Sequence, residues 1–137
     1  DSLVLTIDPK DPKEDWASAV GKGCPTCIDV RCTRIWNSKN VQFIHGYSSS
    51  PEVLAQVAQI VPRFRKVMVM HDGSHFHQHV LEDLNNYDRF TPVGSYMVVQ
   101  DTKMTRMYSP LNGNPYPMGA VGDFLRGQGR GRYIVDK

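Results

Sequence analysis

Short, largely apolar runs alternate with amphipathic stretches along this chain of 137 residues. Such runs occupy residues 3–7, 41–44, 67–70 and 96–99. A continuous apolar run bounded by polar or turn residues is typical of a strand buried on both faces of a parallel sheet. The pattern therefore predicts a strand at each of these positions, and a last strand over residues 133–135.

Amphipathic segments between these runs predict helices. Ser50 is a suitable N-cap and Pro51 a suitable first helical residue, and the apolar positions that follow recur at helical spacing as far as Pro62. A second helix is predicted to be capped by Asp72 or Ser74. Its expected inward stripe comprises Phe76, Val80, Leu81, Leu84 and Tyr87. Further helices are expected over residues 117–125 and around residues 15–20, and a long loop over residues 103–116.

Strands that alternate with helices favour an α/β fold with a mostly parallel, doubly wound sheet. We expect one Rossmann-like domain over residues 1–137, with helices flanking the sheet. Both ends of the chain fall in strand-like runs, so an incomplete sheet and a fragment of a longer polypeptide are expected. The Gly-rich turn that precedes the acidic strand end of a dinucleotide-binding unit by about 20 residues is not found before Asp8.

Composition limits the kinds of molecule that this chain is expected to bind. Charged residues make up 22% of the chain and the net charge is +2, which gives no general electrostatic argument for nucleic acid. Arg126, Arg130 and Arg132 cluster among glycines, where a solvated loop is favoured over an anion contact. No apolar segment approaches the ~20 residues of a membrane span. No secretory signal is visible, so a cytoplasmic location is favoured.

The three cysteines lie close together at Cys24, Cys27 and Cys32. Their spacing is compatible with ordinary thiols, with one disulfide and a free thiol, or with half of a zinc site. A complete zinc site needs about four ligands, and no second pair at this spacing exists. The redox state of the three thiols stays open.

Polar side chains follow the predicted strands where ligands bind in open α/β sheets, beyond the carboxyl ends. Asp72 follows one central strand, and Gln100 and Asp101 follow the next. Carboxylate and amide oxygens are ligands that magnesium prefers. His75, three residues after Asp72, is suited to remove a proton from a hydroxyl near neutral pH. Asp8, before a proline, is either a ribose ligand or a turn residue.

The other histidines of this stretch give a weaker signal. His71, His75, His77 and His79 contain an i, i+4 pair, but the Glu of the zinc-protease motif is missing. We therefore expect His77 and His79 to be exposed helix residues. The pairing of Asp72 and Asp101 with His75 is the arrangement expected to carry function.

The segment HDGSHFHQHVLEDLNNYDRFTPVGSYMVVQDT resembles the cephalosporin hydroxylase and rhamnosyl O-methyltransferase family. That family is marked by an apolar strand ending in D-x-x-H, then H-V-L-x-E-L-x-x-Y, then a Gly-led strand ending in an acidic pair and Thr. The upstream segment VQFIHGYSSSPEVLAQV is similar to the family's third strand and the helix after it. The resemblance covers about residues 41–125.

The resemblance implies a Rossmann-like methyltransferase that uses S-adenosylmethionine and a magnesium-type cation. It implies that Asp72, Gln100 and Asp101 are metal ligands, with Gln100 standing where the family usually has Glu. It implies that His75 is the general base. In the cofactor site, the resemblance assigns the ribose to Asp8, and Tyr47 and Ser48 stand where the family has an Asp-Ser pair near the adenine. Gly46 is a further expected cofactor-binding residue.

The leading hypothesis is an O-methyltransferase acting on a hydroxyl of a sugar or another polyol, a small-molecule acceptor. Cation and base would activate the acceptor oxygen, and positioning would supply much of the acceleration. One alternative is a non-catalytic Rossmann-like subunit or binding module. Another is a metal-dependent hydroxylase or hydrolase using the same Asp and His cluster. A homo-oligomer, or a companion polypeptide that supplies the missing segments, is a further expectation.

Overall fold

The computed structural model describes residues 2–10, 38–103 and 116–136. Its contacts divide the chain into two compact units, Asp1–Ile60 and Val61–Lys137. The cysteines, the helix expected around residues 15–20 and most of the expected loop lie outside the described residues. Within the described ranges, no helix is both long enough and apolar enough to cross a membrane.

The first unit pairs two parallel strands and adds one helix. Strand β1 (Val4–Asp8) pairs with β2 (Val41–His45), and Asp8 lies opposite His45 at the carboxyl end. Helix α1 (Pro51–Ile60) starts with proline at its first position, as the sequence predicts. Its buried residues recur at helical spacing: Val53, Val57 and Ile60. They form the apolar interior of this unit with Ile44 of β2.

Gly46 joins β2 to α1 at a close approach of backbone to helix. Its φ is +147°, and a Cβ added there would lie 2.7 Å from Cγ2 of Val53. Because only glycine adopts this backbone conformation readily and leaves that space free, the turn requires glycine. The Gly46 N–H donates to the carbonyl of Asp8 at 2.9 Å, which holds the ends of both strands side by side.

The second unit again pairs two parallel strands, now with two helices. A 3₁₀ turn (Val61–Arg63) precedes β3 (Met68–His71), which pairs in parallel with β4 (Tyr96–Val99). Helix α2 (His77–Tyr87) and the 3₁₀ turn Asp88–Phe90 lie between these strands, and α3 (Pro117–Arg126) follows β4. Short parallel strands and three helices give an α/β arrangement, as predicted.

The core of the second unit lies between its two helices and one face of its sheet. Val80 and Leu84 of α2 pack against Ala120 and Phe124 of α3, with further apolar side chains, including Met97 and Val99, around them. The opposite sheet face is exposed at Met68 (62%), Met70 (53%) and Tyr96 (61%). The expectation that these strands are buried on both faces is therefore wrong for β3 and β4, because the described helices of this unit cover only one face.

The start of α2 differs from the sequence prediction. The N-cap is Phe76, which has no side-chain cap bond, so neither Asp72 nor Ser74 caps the helix. The Ser74 hydroxyl instead accepts a hydrogen bond from the Phe76 N–H at 3.3 Å. Phe76 is 67% exposed rather than part of the inward stripe. His75 precedes the helix, so it shares no helix face with His79.

Residues 133–135 form no strand. The ring of Tyr133 packs against Phe124, 5.4 Å between centroids, and its hydroxyl donates to Asp88 at 2.8 Å. Ile134 and Val135 are exposed. The strand prediction fails there because an apolar run indicates a strand only when it has a pairing partner, and in the described residues Tyr133 is held by its side chain.

Candidate active site

The carboxyl ends of β3 and β4 lie side by side and carry the predicted site residues of the second unit. His71 pairs with Val99 at the end of the ladder. The Gln100 N–H donates to the His71 carbonyl at 3.0 Å and extends the pairing by one bond. The next residues on each strand are Asp72 and Asp101, both exposed. Parallel pairing therefore brings the two predicted carboxylate positions to the same sheet edge.

Asp101 is the one non-glycine residue in the described ranges with a positive φ, at 55°. The left-handed conformation costs roughly 1–2 kcal/mol for most residues with a Cβ, and Asp is one of the few that adopt it more readily. Such strain is retained at sites where the surrounding structure fixes it and is a pointer to function. Here the turn directs the Asp101 carboxylate to the imidazole of His75, with Nε2 and Oδ2 2.9 Å apart.

The contact between His75 and Asp101 fixes the chemistry of the ring. A carboxylate only accepts, so Nε2 of His75 is the protonated nitrogen. In the neutral ring Nδ1 then carries the lone pair and is the atom that can take a proton. Both side chains are accessible, 42% exposed for His75 and 47% for Asp101. A histidine held by a carboxylate and open to solvent has the arrangement of an oriented general base.

Asp72 and Gln100 do not join this pair in the described arrangement. The amide of Gln100 donates to the sulfur of Met70 at 3.2 Å, on the exposed sheet face. Among the described residues, no three side chains of His, Cys, Asp or Glu form a group that could hold a metal ion. The described geometry therefore does not by itself fit a metal centre, and the ligand set Asp72, Gln100 and Asp101 stays a prediction.

The predicted cofactor residues lie at the carboxyl edge of the first unit. Asp8 is the last residue of β1, Gly46 follows β2, and Tyr47 is 70% exposed. Oδ1 of Asp8 accepts from the Lys10 N–H at 2.8 Å, which is the turn role that the sequence left open. The carboxylate is exposed as well. An exposed carboxylate and an exposed aromatic ring on one edge suit the diol and the base of an adenosine.

Three further histidines have partners in the second unit. Nε2 of His71 lies 3.1 Å from Oδ2 of Asp83, an ion-pair distance without hydrogen-bond alignment, and is buried. Nε2 of His77 lies 2.7 Å from Asp123, so His77 is partly buried rather than an exposed helix residue. His79 is exposed as predicted.

Asp123 of α3 binds both His77 of α2 and Arg126 of its own helix. Hydrogen bonds from Arg126 and then from His77 lower the pKa of its carboxyl group. Arg126 donates to Asp123 at 2.5 Å, so this arginine is paired within its own helix. Arg126 lies in α3 rather than in a loop, and Arg132 binds a buried carboxylate. Both arginine side chains are nevertheless solvated, 74% and 52% exposed.

That buried carboxylate belongs to Asp88, a residue that sequence reasoning missed. Asp88 is 2% exposed. It accepts from Arg132 at 2.7 Å, from Tyr133 at 2.8 Å and from Gln128 at 3.2 Å. The sequence offers one signal for this role, an Asp between the aromatic residues Tyr87 and Phe90. Its partners Arg132 and Tyr133 lie more than 40 positions later, and spacing alone does not connect them to Asp88.

The arrangement is that of an α/β protein with a histidine held by a carboxylate at the carboxyl end of a parallel strand pair. The family model described as Rhamnosyl O-methyltransferase/CmcI matches residues 29–137, which is most of the chain. The chain therefore belongs to the rhamnosyl O-methyltransferase/CmcI family, also called the cephalosporin hydroxylase family. Searches of the curated proteins and of the solved structures found no match.

Proposed function

We propose that this chain is an O-methyltransferase that moves a methyl group from S-adenosylmethionine to a hydroxyl of a small molecule, within a Rossmann-like fold. Family membership supports the reaction class. The observation that carries the proposal is the contact of 2.9 Å between His75 and Asp101, because O-methylation needs a group that removes the acceptor's proton.

His75 accepts that proton at Nδ1. Asp101 holds Nε2–H and so keeps the ring in this tautomer, and it stabilises the imidazolium that forms. When bound, S-adenosylmethionine supplies a methyl group on a positively charged sulfur, and the acceptor oxygen displaces the thioether as the C–O bond forms. A positioned base of this kind contributes roughly 10²- to 10⁴-fold to the rate.

The edge of the first unit is the proposed cofactor-binding element. Asp8 would accept hydrogen bonds from the ribose hydroxyls, and Tyr47 with Ser48 would lie along the adenine. Gly46 keeps this turn close to α1 by leaving room for Val53. Equilibrium dialysis of the whole chain with S-adenosylmethionine tests this element by itself. Asp8→Asn, which keeps size and removes charge, is expected to weaken binding about tenfold, the loss of roughly 1.4 kcal/mol.

The divalent cation is a separate proposal, and no step above passes through it. Asp72 and Asp101 would be its carboxylate ligands, and Gln100 would contribute an amide oxygen. Magnesium keeps several waters and binds through one or two carboxylates, which is compatible with a sparse site. A magnesium titration of turnover, with Asp72→Ala beside the wild type, tests it. Turnover that is independent of both the metal and Asp72 would remove the cation from the mechanism.

The second unit offers a matched control for the base. Asp101 and Asp123 both accept a hydrogen bond from Nε2 of a histidine, at 2.9 Å and 2.7 Å. Asp101→Asn and His75→Gln are expected to lower methyl transfer by about 10²-fold or more. Asp123→Asn removes the equivalent charge from the other pair and should leave turnover within about twofold.

Transfer of a labelled methyl group to a panel of hydroxylated acceptors is the measurement. Equal losses in Asp101→Asn and Asp123→Asn would contradict a specific role for His75. Cofactor binding without transfer to any acceptor, under conditions where the chain is folded, would favour the non-catalytic binding module instead.

A further inference from the structure

His71 is a buried histidine where the ends of β3 and β4 meet, and the proposed reaction does not use it. It is the last residue of β3. Its carbonyl accepts the Gln100 N–H at 3.0 Å, the bond that extends the ladder toward Asp101. Only 9% of the His71 side chain is exposed, whereas the His75 side chain is 42% exposed. His71 is therefore placed to hold the strand ends, and its imidazole is closed to a ligand.

The His71 side chain connects β3 to α2. Its Nε2 lies 3.1 Å from Oδ2 of Asp83, a residue in the second half of that helix. The Asp83 side chain is 14% exposed, so both partners are largely withdrawn from water. Electrostatic attraction is stronger in such surroundings than in solvent. The contact thus favours one position of α2 relative to the end of β3.

Stability does not account for this pair. His71 is paired with Val99, which packs with Met97 against the apolar core of this unit. Burying two polar groups there costs desolvation free energy, and an apolar pair of similar volume is often as stable or more stable. Moreover, Nε2 of His71 is buried without an aligned hydrogen bond. The polar pair offers a fixed relative position instead, because apolar surfaces can slide with little loss of contact area.

The proposed base and its carboxylate partner are both joined to His71 by short stretches of chain. His75 lies in the connection that runs from β3 into α2. Asp101 follows Gln100, whose N–H the His71 carbonyl accepts. A shift of His71 therefore disturbs the contact of 2.9 Å between Nε2 of His75 and Oδ2 of Asp101. A misplacement of about 1 Å can slow a reaction about 100-fold.

We propose that His71 is a positioning residue, which through Asp83 fixes the end of β3 against α2 and so holds His75 at hydrogen-bond distance from Asp101. In this assignment His71 contacts no reacting atom and transfers no proton. The inference rests on the proposed function, because it takes His75 as the base. It predicts that His75 loses its fixed tautomer when the buried pair is replaced, even in a chain that stays folded.

An apolar replacement of the pair separates positioning from stability. The double variant His71→Leu/Asp83→Leu keeps side chains of similar size and removes the polar contact. We expect its urea midpoint to lie near that of the wild type, because apolar residues often replace buried polar pairs without loss. Its kcat for methyl transfer should fall about tenfold or more, while its Kd for S-adenosylmethionine stays within about twofold. Asp83→Asn, which keeps the volume, should change kcat in the same direction and replaces the double variant if that one does not fold.

NMR spectra of the histidine ring nitrogens give a readout that needs no turnover. At about pH 9, where an ordinary imidazole is neutral, they distinguish a ring protonated at Nε2 from one protonated at Nδ1. The His75 signals are those lost in His75→Gln. In the wild type they should show the Nε2–H tautomer alone, and in the double variant a mixture of both tautomers.

Asp123→Asn is the matched control for these spectra. It removes the carboxylate that lies 2.7 Å from Nε2 of His77, on the same helix as Asp83. Because His77 does not join the strand ends, the His75 signals should be unchanged in this variant. An equal change in Asp123→Asn, or an unchanged His75 tautomer in the folded variants of the buried pair, would overturn the positioning role.

The tautomer and the turnover together distinguish failure of this inference from failure of the proposed function. A chain that transfers no methyl group, but whose His75 tautomer depends on the buried pair, would support the positioning role and contradict the methyltransferase. Methyl transfer by a chain whose His75 ring is unaffected by replacement of the pair would do the reverse.

Discussion

Two carboxylates of the second unit, Asp88 and Asp101, have the same chemistry and opposite surroundings. Asp88 is 2% exposed and accepts hydrogen bonds from three side chains of the C-terminal segment. The Asp101 side chain is 47% exposed, is bonded to one imidazole and has a left-handed backbone. A buried charge is tolerated only when its partners satisfy it, so Asp88 must be structural. The carboxylate of Asp101 is accessible to solvent and its backbone is left-handed, a combination that is typical of functional sites.

The largest expected difference concerns stability. Asp88→Asn removes the charge that Arg132 and Tyr133 bind and puts an amide donor beside them, and hydrogen bonds to a charged group are each worth roughly 1.5–3 kcal/mol. We expect the free energy of unfolding to fall by about 3 kcal/mol. Asp101→Asn at the exposed pair should change it by less than about 0.5 kcal/mol.

Urea denaturation followed by circular dichroism measures both variants. The comparison fails if Asp101→Asn destabilises the chain as much as Asp88→Asn does. In that case the exposed pair would be part of the framework rather than of the site.

The next effect concerns the turn that presents the partners of Asp88. Gly129 is buried, and a Cβ there would lie 2.5 Å from Cε1 of Phe124, whose ring is 3% exposed. A core ring cannot move away without disturbing its neighbours, and overpacking typically costs 1–3 kcal/mol. Gly129→Ala should therefore lower the free energy of unfolding by about 2 kcal/mol.

Gly73 is the control for this turn. It has nothing within 4 Å of an added Cβ, so Gly73→Ala should change stability by less than about 0.5 kcal/mol. Thermal or urea unfolding that ranks Gly73→Ala below Gly129→Ala would show that the packing of residues 127–132 on Phe124 is not required for the anchor at Asp88.

The two carboxylates also show how far the sequence could be interpreted. Strand ends are marked locally by an apolar run that stops at a polar residue, and so the sequence predicts the position of Asp72, Gln100 and Asp101 at the ends of β3 and β4. The start of α1 was predicted from Ser50 and Pro51 for the same reason. These signals lie within a few residues of the feature that they predict.

The remaining features depend on contacts between distant residues. Asp88 meets Arg132 across 44 positions, and His77 meets Asp123 across 46, distances at which spacing carries no information. Phe76 fits the inward stripe of α2 by periodicity but precedes the helix, because the cap is set by the turn at Ser74. The sequence could not show the partners of Asp88 and His77, because these contacts form only when the second unit packs together.

A smaller effect tests the backbone strain at Asp101. Asp101→Ala and Asp101→Gly both remove the carboxylate, so both should lose methyl transfer equally. They differ in that glycine adopts a φ of 55° without a Cβ penalty. We expect Asp101→Gly to be more stable than Asp101→Ala by about 1 kcal/mol in urea unfolding. Equal stability would mean that the turn relaxes, and the strained geometry would lose its link to function.

The smallest expected effect is alkaline and concerns only the anchored region. Burial, and then the hydrogen bond to Asp88, raise the pKa of Tyr133 above its usual value of 10.0, and burial raises that of Tyr87 to about 12. The unfolded chain therefore loses these phenol protons at lower pH than the folded chain. Stability is complete below pH 10 and decreases above it, up to about pH 12 for Tyr87. Tyr133→Phe removes one of the two groups, so its unfolding free energy should fall less steeply between pH 10 and about pH 12 than that of the wild type, as urea unfolding at a series of pH values would show. His75→Gln should keep the wild-type slope, because the exposed site contributes no buried phenol, and an altered slope in that variant would mean that the two regions are coupled.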